Sequence, residues 1–154
     1  MIHMYKRILV PTDGSDTAIL GLREAIKLAK DQNALIRIIH VVDELVIASP
    51  DLYAVMPANL IGNLREAGET ILARARAMVQ EAGIDADTQL IEAFGGRAGE
   101  HVLKVARQWP AEIIVCGTHG RRGLRRIVLG SDAEYIVRRS PVPILLLRAV
   151  GSET

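Results

Sequence analysis

The strongest constraint on the fold of this chain is an alternation. Ile8-Leu9-Val10 is an apolar run closed by Pro11-Thr12-Asp13-Gly14-Ser15, after which Ala18, Leu22, Ala25, Ile26 and Ala29 recur at helical spacing. The same change of period returns three times. Leu35 to Val42 precedes Leu60, Leu64, Ala67, Ile71, Ala75 and Met78; Thr88 to Ala93 precedes Val102, Leu103, Val105 and Ala106; Ile113 to Cys116 precedes a helix read from Asp132 to Arg139. Val142 to Leu147 closes the series as a fifth strand. Leu35 to Val42 is too continuously apolar for a sheet with one wet face. Strands joined through helices in this order predict a parallel sheet covered on both sides by right-handed crossovers. The expected fold is therefore α/β, a Rossmann-like three-layer sandwich with a five-stranded parallel sheet in the order 3-2-1-4-5.

With 154 residues, the chain suits one domain able to bury about 70% of its unfolded surface. We expect that domain over 1–148 and a loose tail over 149–154. The 19 basic and 18 acidic residues nearly cancel, so no global field points to nucleic acid or to an acidic membrane. Few aromatics, scattered in sequence, offer no platform for stacking bases. Cys116, the sole cysteine, excludes an internal disulfide and a cysteine metal cage, and it suits a reducing compartment. Met1 to Arg7 is too short and polar for a secretory signal, and no apolar run approaches a membrane span. A cytoplasmic protein is expected.

One connection is long. Asp43 to Asn59 carries Leu45, Val46, Ile47, Leu52, Tyr53, Val55 and Met56 without clear period, and three uses are open to it: a lid over a ligand, a contact between subunits, or a flap on its own domain.

Chemistry concentrates in two loops that the expected strand order places at one crevice, where ligands bind in such sheets. After the fourth strand come Gly117-Thr118-His119-Gly120 and, nine residues further on, Gly130-Ser131. Glycines here permit close backbone approach and positive φ, and the amides that open the following helix suit an anion. The same residues have a structural use: Ser131-Asp132-Ala133-Glu134 is a capping box worth about 0.5–2 kcal/mol, and Gly117 and Gly120 suit a plain turn. After the first strand, Asp13 offers a carboxylate to ribose hydroxyls or an adenine amino group, or else a turn and cap ahead of Ser15. Val41, ending the second strand, offers its N–H and C=O to a base, or its side chain to the core. Arg121, Arg122, Arg125 and Arg126 supply charge for phosphates or form a solvated loop. His119 is a candidate phosphate donor. His3, His40, His101 and His119 have no metal-ligand spacing.

Over essentially its full length the chain resembles the universal stress protein family, whose ATP-binding branch has the pattern Gly-x2-Gly-x9-Gly-Ser/Thr. Gly117, Gly120, Gly130 and Ser131 fit it. Ile8 to Ser15, His40-Val41-Val42-Asp43 and Gly117 to Leu124 add to the likeness. The resemblance implies that Val41 and the Pro11-Thr12-Asp13 turn hold adenine and ribose, that Gly120, Arg121, Gly130 and Ser131 hold phosphates, and that the protein is a homodimer. This chain departs from many relatives at Asp132, where they carry an apolar residue. A carboxylate there repels polyphosphate, helps hold Mg²⁺, or acts as an acidic first-turn residue of its helix. Gly96-Arg97-Ala98-Gly99 replaces the more usual Gly-x-Pro.

No Walker-type lysine follows the glycines, and no nucleophile with its base is visible. The expected function is thus non-enzymatic: ATP held as a signal for stress adaptation, its occupancy shifting affinity for an unidentified protein partner, with any hydrolysis slow. Two other readings are a nucleotide-free scaffold and an adenylyl-transferring or hydrolytic enzyme. The Val142 to Leu147 strand, at a sheet edge, is the expected dimer contact.

Overall fold

Five parallel strands form one sheet in the order β3-β2-β1-β4-β5. They are β1 (Arg7–Pro11), β2 (Leu35–Asp43), β3 (Ala86–Ala93), β4 (Ile113–Gly117) and β5 (Ile144–Leu147), and between them run α1 (Asp16–Gln32), α2 (Leu60–Glu81), α3 (Ala98–Gln108) and α4 (Ser131–Arg139). The computed structural model describes residues 4–43, 59–119 and 129–149. Residues 44–58, most of the long apolar connection, lie outside this set, as do 120–128 and 150–154.

Alternation along each strand feeds two cores. Ile8, Val10, Ile36, Ile38, Ile113 and Val115 meet Leu22, Ala25 and Ala29 of α1 and Leu72, Ala75 and Val79 of α2. Leu9, Ile39, Ile114 and Cys116 face the other way, onto Val102, Leu103 and Ala106 of α3 and Ile136 of α4. Both faces are dry, which is why these strands read as continuous apolar runs. Arg37, the charge within β2, holds Asp87 of β3 through two bonds of 2.7 and 2.8 Å and lies 4.7 Å over the Trp109 ring. Cys116 is a packed side chain whose thiol burial pushes up to about 11.

Local chemistry sets most boundaries. The Ser15 hydroxyl accepts from the Ala18 amide and starts α1, and Asn33, left-handed at φ 51°, ends it. β3 begins two residues before the expected Thr88, and at two other boundaries the bonding explains the difference. Ser131 does not cap α4: Gly130 is the cap residue, its carbonyl accepting from Glu134 N at 2.8 Å, with no side-chain cap bond. The capping box is not formed, because the helix begins one residue early. The fifth strand begins at Ile144 and not at Val142, since the Ser140 hydroxyl holds both the N–H and the C=O of Val142 and Pro143 has no N–H to donate.

Candidate functional site

The site is assembled at the carboxyl end of β1. Thr12, buried, donates its N–H to Ile39 O at 2.8 Å, the last rung of the β1–β2 ladder. The chain then coils tightly. Thr12 Oγ1 accepts from Gly14 N (3.3 Å), Asp13 Oδ1 accepts from Ser15 N (2.9 Å), and Gly14 sits at φ +77°, where a side chain would be strained and would also press on Ile71. The turn role of Asp13 is thus realised through one carboxylate oxygen.

β2 runs on past this point. Its pairing with β1 ends at Pro11↔Ile39, while its pairing with β3 continues through Val41↔Ile91 to Asp43↔Ala93. A strand's N–H and C=O point to alternate sides at successive residues. Ile39 bonds toward β1, so Val41 turns its main-chain groups the same way, beyond the last β1 rung. His40, between them, brings Nδ1 to 2.8 Å from Thr12 O. Nothing in the spacing of the histidines singled it out; the pairing register does.

On the other side of β1, pairing with β4 is confined to Ile8↔Ile113 and Leu9↔Ile114. Gly117, the end of β4, is packed against α1: a Cβ there would lie 2.7 Å from Thr17 Cγ2 and 3.1 Å from Thr17 main chain. Its smallness serves this contact, and its φ is not positive. Thr118 donates its N–H to Leu147 O at 2.9 Å and accepts at its own carbonyl from Gly130 N at 2.8 Å. The two ends of the glycine loop therefore meet, directly before the first turn of α4. At Gly130 the constraint is proximity, a Cβ there falling a tight 3.2 Å from Thr118 O, and not conformation, since its φ is −60°. Gly120, Arg121 and Arg122, with Arg125 and Arg126, lie outside the described residues.

His119 bonds Thr118 Oγ1 through Nδ1 at 2.9 Å, and its Nε2 is buried without a hydrogen-bond partner. Asp132 bonds α3. Its Oδ1 accepts from Gly99 N at 3.0 Å, within the first turn of α3. A Cβ on Gly99 would come within 3.1 Å of Asp132 O and of the Tyr135 ring, so α3 and α4 touch here and the carboxylate meets the positive end of α3.

One loop from β1 and one from β4 thus flank the crevice where strand order reverses, beside a helix N-terminus. The opposite end of the sheet has a shallow groove of about 450 Å³ lined by Lys30, Asn33, Leu35, Gly83 and Asp85. It lies at the carbonyl ends of α1 and α2, which repel anions. Among the described residues no cluster of His, Cys, Asp and Glu could hold a metal ion, and no helix is long and apolar enough to cross a membrane.

A sheet of this order, covered by helices on both faces, defines a doubly wound α/β protein with a crevice at its switch point. Residues 4–148 match the universal stress protein family, and the chain belongs to that family. It is similar to universal stress protein MJ0531 of Methanocaldococcus jannaschii, 34% identical over 98% of this chain and 86% of that protein. The structure of protein MJ0577 superposes with a TM-score of 0.82 at 28% identity, covering 97% of this chain and 99% of that one. Two more distant structures share the fold: a universal stress protein in complex with cAMP (TM-score 0.66, 23% identity, 94% and 98% coverage) and one from Archaeoglobus fulgidus in complex with dAMP (TM-score 0.68, 19% identity, 94% and 98%).

Proposed function

We propose that this chain binds an adenine nucleotide, ATP by preference, in the β1–β4 crevice, and that occupancy serves as a signal in stress adaptation by shifting affinity for a protein partner. The observation that carries the reading is the closure of the glycine loop by the Gly130 N to Thr118 O bond. It gathers the first amides of α4 beside the loop, at the crevice where the Thr12–Ser15 turn also ends. The residues suit a nucleotide. Val41 N–H and C=O serve a base edge, the Pro11-Thr12-Asp13 turn serves ribose, and the amides of Ser131 and Asp132, set in place by the Gly130 N to Thr118 O bond, serve phosphate. His119 Nε2, buried and unsatisfied, is a polar group that a ligand would pair, since such a group costs stability while it has no partner. Gly117 contributes through the α1 contact, Gly120 and Arg121 through the phosphates, as the family pattern implies, and Arg122 through its charge. The cAMP and dAMP complexes of two proteins with the same fold agree with an adenine ligand.

Mg²⁺ on this reading enters with the phosphates. Asp132 has one oxygen on the Gly99 amide, which ties the carboxylate to the start of α3. The glycines are followed in the sequence by no Walker lysine, and on this reading turnover is slow and the protein works by binding, in the cytoplasm and as a homodimer through β5.

Mass spectrometry of small molecules released from denatured, freshly purified protein tests the reading, with calorimetric titration of ATP, ADP and AMP. An adenine nucleotide near one per chain, or saturable ATP binding, is the expected result. Neither being seen leaves the scaffold reading in its place, and rapid metal-dependent hydrolysis overturns the signalling role.

A further inference from the structure

In a regular parallel ladder the rung after Thr12 N to Ile39 O would run from Val41 N to Thr12 O. The β1–β2 ladder stops before it, at Pro11↔Ile39. The carbonyl of Thr12 is instead met by His40 Nδ1 at 2.8 Å. A carbonyl only accepts, so Nδ1 carries the proton in this bond. One imidazole therefore bonds the acceptor that Val41 N would meet in a continued ladder, and does so at the residue that begins the Thr12–Ser15 turn.

The space for that ring is also built. His40 lies on the α1/α2 face of β2, half-buried, and opposite it stands Gly68 of α2. A Cβ on Gly68 would fall 2.8 Å from His40 Cδ2 and 2.7 Å from Leu90 Cδ1. These distances are shorter than side chains tolerate, so a larger residue at position 68 displaces the ring or the helix.

We propose that His40 is a positioning residue for the nucleotide: by capturing Thr12 O it separates the exit of β1 from β2, fixes the Thr12–Ser15 turn, and leaves the main chain of Val41 turned to the crevice. The inference rests on the nucleotide reading above, and adds to it a residue that touches no ligand.

The test compares ATP affinity by calorimetry in the full-length protein and its His40→Ala, His40→Asn and Gly68→Ala variants, with amide exchange of Gly14 and Ser15 measured by NMR without nucleotide. Asparagine carries an N–H donor close to the position of Nδ1, whereas alanine carries none. His40→Ala should weaken ATP binding about tenfold, the scale of one lost hydrogen bond to an ordered group, and His40→Asn should recover to within about threefold of the parent. Gly14 and Ser15 amides should exchange faster in His40→Ala and regain protection in His40→Asn. Gly68→Ala should weaken binding when His40 is present and have little further effect in the His40→Ala background. Affinity within about twofold of the parent in His40→Ala, or an asparagine variant no better than the alanine one, overturns the proposal. If the parent protein binds no adenine nucleotide, the nucleotide reading fails. The exchange data then decide alone: unchanged protection in His40→Ala rejects the role of His40 in the turn, and lost protection restored by asparagine upholds it.

Discussion

Glu112, the residue before β4, ties the N-terminal end of the sheet together. Its Oε2 accepts from Lys6 N (2.5 Å) and Arg7 N (3.0 Å), and its Oε1 meets Arg7 Nη2 at 3.1 Å. The Lys6 amide above all holds this carboxyl below the usual range; desolvation opposes it, and the Arg7 amide and the charges of Arg7 and Lys6 assist. A carboxyl depressed on folding stabilises the native state above its unfolded pKa, and that stability is lost as pH falls through the folded value. Glu112→Gln should therefore be less stable than the parent at pH 7, with the gap closing below about pH 4.3; urea unfolding at a series of pH values checks it. At this scale the sequence was partly legible. Asp13 and Ser15 show their turn and cap roles in the string Thr12-Asp13-Gly14-Ser15, because those bonds span only two or three positions. The partners of Glu112 and His40 were not legible, because they belong to other strands.

Among the elements, α3 and α4 are joined by a cap that neither supplies alone. The first turn of α3 follows Arg97 with no side-chain cap of its own, and Asp132 of α4 provides the acceptor at Gly99 N. Asp132→Ala should cost about 1 kcal/mol of stability, as loss of a cap does, with Asp132→Asn close to the parent; denaturant midpoints measure both. The same variants should leave the Mg²⁺ dependence of ATP binding unchanged if the carboxylate serves α3 and not the metal. β5 makes the complementary case. Ile114 N donates to Pro143 O and Thr118 N to Leu147 O, so Leu145 also turns its main chain to β4, and by alternation Ile144 and Leu146 turn theirs to the sheet edge. Proline on such an edge removes only the outward donor. If β5 pairs with a second copy, Leu146→Pro should halve the molar mass seen by sedimentation equilibrium while circular dichroism stays native; an unchanged mass rejects this contact. Both helix and strand were expected from period alone. Their starts shifted where other bonds claimed the boundary residues, at Gly130 through the remote Thr118 and at Val142 through Ser140, two positions away.

For the molecule as a whole, the sheet divides labour between its ends. Glu112 and the closed turns at Asn33 and Gly83 finish the N-terminal end, while the loops that follow β1 and β4 and the start of α4 lie at the carboxyl end. A ligand that binds only the folded chain raises its stability by about 2.7 kcal/mol at a concentration a hundredfold above its Kd. For a domain of this size that corresponds to a rise in Tm of about 5–10 °C. ATP at saturating concentration should produce such a rise in a thermal melt, and inorganic phosphate much less, because phosphate engages only the α4 end of the site.

Strand and helix identity, the parallel sheet and its covered faces, and the chemistry of the first turn followed from the sequence, since apolar period and short-range hydrogen bonding are local properties. Tertiary structure alone decided why particular residues are small or charged. Gly117 makes room for Thr17, Gly68 for His40, and Gly130 for Thr118, while Asp132 completes a neighbouring helix. Each depends on two segments brought together by the fold, and the spacing of residues along one segment carries no record of what packs against it.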